Sequence, residues 1–306
     1  MEIRFLGTGS AWCTPEHSCH CAICSELNRL GEDRSRTSIL VSGTERILLD
    51  CGPDARMQMK RNSVERPDAI FITHEHGDHY LGLDDLLVFQ RSLPKREWVP
   101  IPVYATGQTW SAIEVRFGYL IGNLIEKRIV APLKPVEGLK TNVIPFKTSH
   151  GPSAPGAVGY ALEDRSAEDP FRIVYTSDFA AIMHEPDVLI EPDVLIIQSH
   201  WFNEPAFNRP HHMSFQRAIP FIKRWRPKKV AYLVHISAGE QVPGDPYNAI
   251  AKKVPPLAPM KDPESGTPYP VPLCQTDWQR LVTKICKDEE IPVPVIVPED
   301  GTVVRF

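Results

Sequence analysis

An α+β fold is expected for this chain, and three features of the sequence point to it. Strand-length apolar runs recur along it and close on polar residues: Ile47–Leu49 meets Asp50, Ala69–Thr73 meets His74, Val194–Gln198 meets Ser199 and His200, and Lys229–Val234 meets His235. Helical periodicity lies between some of these runs, after Asp78, over residues 107–130 and from roughly Phe215 to Arg224. No internal repeat or second composition regime divides the 306 residues, which suffice for one sizeable core. One domain over 1–306 is therefore expected.

Composition narrows the function class. Apolar content of 42% and charged content of 24% are ordinary for a globular enzyme. A net charge of −4 gives no general affinity for nucleic acid or for anionic membrane. No apolar run reaches membrane-spanning length, and Met1-Glu2-Ile3-Arg4 starts a strand rather than a secretion signal, so a cytoplasmic protein is expected. The seven cysteines are odd in number, and three crowd into six residues as Cys19-x-Cys21-x-x-Cys24, which argues for metal binding over disulfides. Three thiolates this close make a partial zinc site, and a closed site wants a fourth ligand.

The chemistry concentrates after the strand Ala69–Thr73, where His74, His76, Asp78 and His79 fall within six residues. An extended backbone over Thr73 to His76 puts His74 and His76 on one side. Gly77 permits a sharp turn, and a helix beginning at Asp78 and His79 would continue through Leu83, Leu86 and Leu87. That turn aims adjacent side chains at two places, the arrangement two metal ions need: His74 and His76 on one, Asp78 and His79 on the other. Imidazole and carboxylate ligands suit zinc, manganese or iron. A zinc-protease His-Glu-x-x-His helix is excluded because position 78 is Asp.

The His-x-His-x-Asp-His run resembles the signature of the metallo-β-lactamase-fold hydrolases. With the cysteine knuckle it is most similar to the phosphoribosyl 1,2-cyclic phosphate phosphodiesterases of the carbon–phosphorus lyase pathway, over about residues 1–241 and 277–306. The resemblance implies an αββα sandwich of two mixed sheets flanked by helices. It implies that Asp50 orients a metal-bound histidine from behind, that His150 joins His74 and His76 on the first metal, that His235 joins Asp78 and His79 on the second, and that Asp178 bridges both. His212, directly before Met213-Ser214, matches a histidine that lies over the active site without binding metal. His212 and the metal-facing Asp78 are thus the expected catalytic side chains. Cys51 is read as packing, His200 as structural or supporting, and the Gly7-Thr8-Gly9-Ser10 loop as a substrate wall.

The rest of the chain is placed around these residues. Ile3–Leu6 is a first strand, Arg36–Val41 and Arg46–Asp50 a pair around Ser42-Gly43-Thr44, and Ile101–Ala105 and Asn142–Phe146 further strands. Gly159–Leu162 and Phe171–Thr176 read as a hairpin around a polar loop, with closing strands at Val293–Val297 and Thr302–Phe306. The knuckle region, 13–24, resembles the family's structural-zinc insert. The family's fourth zinc ligand, three positions after the last active-site histidine, falls here on Ala238. Cys13, His17, His20 or Glu240 is the substitute, with no choice among them. Residues 242–275 hold nine prolines and little periodicity, an insertion that either roofs the site or contacts a second subunit of a homodimer.

Two divalent ions about 3.5–4 Å apart hold the attacking and leaving oxygens of an in-line displacement and lower the pKa of the water between them. The expected activity is hydrolysis of a small phosphodiester, a ribose cyclic phosphate or related diester, by a hydroxide held between the ions. Two alternatives stand. One is a ribonuclease Z-like processing of transfer RNA, which the charge and the lack of a basic arm disfavour. The other is an iron oxygenase like pyrroloquinoline quinone biosynthesis protein B, whose metal motif is degraded where this one is intact.

Overall fold

The computed structural model describes residues 1–164, 170–209 and 211–306. The polar loop expected within the hairpin at 165–169, and Pro210 before the His211-His212 pair, lie outside the described residues.

Strands β1 (Glu2–Gly7), β2 (Ser38–Ser42), β3 (Arg46–Leu49), β4 (Ala69–Phe71), β5 (Ile101–Ala105) and β6 (Ile125–Ile129) build one sheet. Strands β7 (Asn142–Lys147), β8 (Val158–Asp164), β9 (Phe171–Tyr175), β10 (Val194–Gln198), β11 (Val230–Val234) and β12 (Val295–Ile296) build the second, while β13 (Val303–Arg305) returns to pair with β1. Among the described residues the sheet orders are β13-β1-β2-β3-β4-β5-β6 and β12-β11-β10-β9-β8-β7. Both are mixed: β3 to β6 and β9 to β12 run parallel, while β1–β2–β3 and β7–β8–β9 are antiparallel.

The period of two explains how the sheets pack. In β3, Ile47 and Leu49 face the second sheet and Leu48 faces outward. In β11, Val230, Tyr232 and Val234 face the first sheet, and Ala231 and Leu233 face helices. Strands buried on both faces therefore read as unbroken apolar runs. Helices α1 (Ala22–Leu30), α2 (Ala55–Arg61), α3 (Gly77–Tyr80), α4 (Leu87–Arg91) and α5 (Gly107–Phe117) precede the second sheet, while α6 (Phe215–Trp225) lies between β10 and β11 and α7 (Gln275–Asp288) between β11 and β12. Met59 of α2 and Trp110 and Ile113 of α5 cover the first sheet's outer face; Phe215, Ile222 and Trp225 of α6 and Leu281 and Ile285 of α7 cover the second's. The four layers are the expected αββα sandwich.

Two helical expectations are corrected. The helix from Asp78 does not continue to Leu87: α3 stops at Tyr80, and a 3₁₀ turn at Leu83–Leu86 separates it from α4. The backbone is pinned there, with Gly82 N donating to Cys51 O (2.9 Å). A Cβ on Gly82 would lie 2.1 Å from Gly52 O, so no larger residue fits this approach. Residues 107–130 are not one helix either. α5 ends at Phe117 and 125–129 is the edge strand β6. Leu120 and Leu124 kept the helical spacing, but both sit in the turn before β6, buried against the same layer as Phe117. Helices α1 and α2 were not foreseen.

Candidate metal centre

β3 and β4 run parallel in one sheet and β9, β10 and β11 in the other, so in each sheet these carboxyl ends share an edge. Crevices outside strand carboxyl ends are where open α/β sheets bind ligands. The chain leaves three of these strands through a left-handed residue, Asp50 (φ 61°), Ser177 (φ 55°) and His235 (φ 63°). Non-glycine residues adopt that conformation at a cost, and such sites cluster where function requires them.

The expected ligand residues come together in two groups. Ligand atoms of His74, His76 and His150 lie within 4.8 Å of one another, as do those of Asp78, His79, Asp178 and His235. Asp178 reaches both groups: its Oδ2 is 3.1 Å from His235 Nε2, 3.5 Å from His79 Nε2 and 3.7 Å from His150 Nε2. Asp78 Oδ2 lies 3.2 Å from His79 Nε2 and 3.6 Å from His235 Nε2. The far ring nitrogens are held by protein. His74 Nδ1 meets Thr73 Oγ1 (3.0 Å), His79 Nδ1 meets Asp50 Oδ2 (2.8 Å) and His150 Nδ1 meets His211 O (2.9 Å). His76 is turned the other way, with Nε2 on Ser153 Oγ (3.1 Å). Such outer partners fix ring orientation and raise ligand basicity.

His74 Nε2, His79 Nε2, His235 Nε2 and Asp178 Oδ1 are buried without a hydrogen-bond partner. Native interiors rarely leave polar atoms so, because each costs about 1–3 kcal/mol. A divalent cation in each group satisfies them all, so the donor set fits the two ions. Burial, the largest influence, holds His74 well below the usual imidazole range and lowers His150, and the neutral ring is the form that binds metal. Burial opposes ionisation of Asp178, yet His235 and His79 hold its carboxyl far below the usual range.

Gln198 and Glu75 escaped sequence reasoning, whereas Asp50 and His200 were already expected beside the site. Asp50 is fully buried and accepts from Thr73 N (2.9 Å), Thr73 Oγ1 (2.9 Å) and Tyr175 OH (3.1 Å) besides facing His79. Gln198 anchors its Oε1 on Phe179 N and Met213 N and places Nε2 2.7 Å from His212 Nδ1. His200 stacks on His212, ring centroids 4.1 Å apart. Glu75 does carry a sequence signal. Between two site histidines in an extended run it must face away, and its carboxylate accepts from Gly156 N (3.0 Å) and Thr109 Oγ1 (3.2 Å). His212, unlike His211, is buried at the centre, with Nδ1 3.4 Å from Asp178 Oδ2.

Two cavities open beside this cluster. One of about 620 Å³ is bounded by His200 and His212, the other of about 370 Å³ by His150. Residues 251–255 of the Pro-rich stretch line the first.

The knuckle sulfurs of Cys19, Cys21 and Cys24 also lie within 4.8 Å of one another. The hydrogen bond with Cys24 is the chief cause lowering the Cys21 thiol. Among the described residues no fourth ligand joins this group. Ala238 packs against the cysteines, Cys13 points its sulfur to Asp54 (3.5 Å), and Lys252 Nζ lies 3.4 Å from Cys24 Sγ. Glu240 instead accepts from Phe202 N (2.9 Å) and Asn203 N (3.1 Å).

Burial, against the hydrogen bonds from Asn203 and Phe202, pushes the Glu240 carboxyl up to about 7. The folded state thus holds this proton more tightly than the unfolded chain, whose value is about 4.3. Stability from this group falls as pH rises through that window and is level above it. Glu240→Gln is expected to flatten the decline of unfolding free energy between about pH 5 and 7, by up to about 1.4 kcal/mol per pH unit. Denaturant titrations of both proteins across that range read the slope directly.

The fold and the paired clusters define a class. The sequence profile of the beta-lactamase superfamily domain matches residues 45–236, and the chain belongs to that family. Particular relatives follow. Octanoyltransferase from Porphyromonas gingivalis is 29% identical over 249 residues, 78% of this chain and 46% of that protein. Coenzyme PQQ synthesis protein B from Methylorubrum extorquens is 29% identical over 188 residues, 55% of this chain and 57% of that protein. The chain spans about half the length of these curated relatives. A crystal structure described as a new diphosphatase from the PhnP family superposes with TM-score 0.69 at 23% identity, covering 100% of this chain and 97% of that one, a likeness of fold. No helix among the described residues is long and apolar enough to cross a membrane.

Proposed function

We propose that this chain is a binuclear metal-dependent hydrolase of small phosphodiesters, a ribose cyclic phosphate or a related diester. The observation that carries the reading is the set of unpartnered buried atoms, His74 Nε2, His79 Nε2, His235 Nε2 and Asp178 Oδ1, distributed over the two ligand groups. His74, His76 and His150 would hold one ion, Asp78, His79 and His235 the other, and Asp178 would serve both. Manganese and zinc suit this set, and iron is compatible with it. When bound, the two ions supply positive charge for the phosphoryl oxygens and an activated water at neutral pH.

The chain's own residues do the rest. Asp50 keeps His79 turned toward the centre. With Nδ1 accepting the Gln198 amide N–H, neutral His212 carries its proton on Nε2. From there it donates to the leaving sugar oxygen. His212→Ala is expected to lower kcat by about 10²–10⁴-fold while metal content stays at the wild-type level; loss of metal would contradict the assignment. A structural zinc on Cys19, Cys21 and Cys24, a single domain and a cytoplasmic location complete the proposal.

Elemental analysis combined with turnover tests it. Manganese- or zinc-loaded protein is assayed on bis(p-nitrophenyl) phosphate, a ribose cyclic phosphate and a small structured RNA. About three metals per chain with opening of the cyclic phosphate and little RNA cleavage support the reading. Iron without phosphodiesterase activity overturns it in favour of an oxygenase, and RNA cleavage alone keeps the chemistry but replaces the substrate.

A further inference from the structure

The 620 Å³ cavity beside His212 differs from its smaller neighbour in chemistry. It is lined by Trp12, on the loop after β1, and by Phe207, which are 73% and 66% exposed. Large aromatic side chains so exposed leave their faces available to a ligand. Arg209 lines the same cavity and has no ion-pair partner among the described residues. The 370 Å³ cavity on the His150 side has no Phe, Tyr or Trp in its lining. A volume of 620 Å³ also exceeds what a phosphate and one sugar fill, and it lies within the range of pockets that enclose whole small molecules.

We infer that the substrate of the proposed phosphodiesterase is a nucleotide ester whose base packs on Trp12 and Phe207, with Arg209 lining the same cavity. This rests on the hydrolase reading above and assigns it a substrate class. Stacking on aromatic side chains is tolerant of base identity, so the site selects for the presence of a base more than for its sequence letter. The bond changes are those of ester hydrolysis. Water oxygen joins phosphorus, the P–O bond to one ribose oxygen breaks, and the protons of water end on that oxygen and in solvent. The phosphate stays at the cluster and the nucleoside stays in the aromatic cavity.

The test compares adenosine 2′,3′-cyclic phosphate with methyl riboside 2,3-cyclic phosphate on the manganese-loaded protein. A kcat/KM about tenfold or more higher for the adenosine ester is expected from base–aromatic stacking. Trp12→Ala and Phe207→Ala should each narrow that ratio toward one. Adenosine 5′-phosphate should also quench tryptophan fluorescence, and Trp12→Phe should remove the quenching while adenosine 5′-phosphate still inhibits. Cleavage of both esters at equal kcat/KM, or an unchanged ratio in both alanine variants, overturns the base site and leaves the hydrolase standing. If neither ester is cleaved with two ions bound, the hydrolase reading fails, and the Trp12 quenching decides the base site by itself.

Discussion

Replacing Asp178 with alanine is expected to lower kcat by about 10³-fold or more and to remove at least one ion per chain. Four site histidines, His79, His150, His212 and His235, approach its Oδ2 within 3.7 Å. Without it both groups lose their shared anion, and four imidazoles remain around a space with too little negative charge to hold two dications. Asp178→Glu keeps the charge but moves the carboxylate by a methylene in an enclosed position, so partial metal retention with poor turnover is expected. Elemental analysis and steady-state assays on the same preparations check this. Two ions bound and activity within tenfold of wild type would remove Asp178 from its assigned place.

Asp50→Ala is expected to act on stability and on metal affinity together. The carboxylate is wholly enclosed and satisfies Thr73 N, Thr73 Oγ1, Tyr175 OH and the outer nitrogen of His79. Deleting it strands those donors away from water, a loss of roughly 3–5 kcal/mol for a broken buried charged network. Freed from its anchor, His79 should bind metal about 10–100-fold more weakly. Asp50→Asn keeps the shape and an acceptor oxygen, so it should lose less stability than the alanine variant while still weakening the metal. Denaturant unfolding of the metal-free proteins separates the first effect from metal titrations that report the second.

Much of this was legible because period and burial coincide. Strands such as β3, β10 and β11 are enclosed on both faces, so their apolar runs announce them, and the polar residue that follows each run marks the edge of the core. The placement of His74 and His76 on one side followed from alternation alone. What failed was local geometry set by distant partners. The break after Tyr80 depends on Gly82 meeting the Cys51–Gly52 turn, a contact between segments thirty residues apart. The strand β6 was hidden because Leu120 and Leu124 repeat at a spacing that helix and turn share. Gln198 was silent for a different reason: a lone amide closing a strand carries no pattern, and only its Oε1 anchors on Phe179 and Met213 reveal why it faces His212.

The two sheets come from successive stretches of the chain, and the cluster is divided between them. His74, His76, Asp78 and His79 follow a strand of the first sheet; His150, Asp178 and His235 follow strands of the second. Metal loaded there would act as a rivet across a seam, binding neither half alone and resisting their separation. At a free ion concentration a hundred times its dissociation constant, each such rivet adds about 2.7 kcal/mol to the folded state. A shift of that size changes how often a protein is exposed to proteases. On the proposed reading the abundance of this protein should track the supply of the ion, and a cell short of it would lose the protein itself.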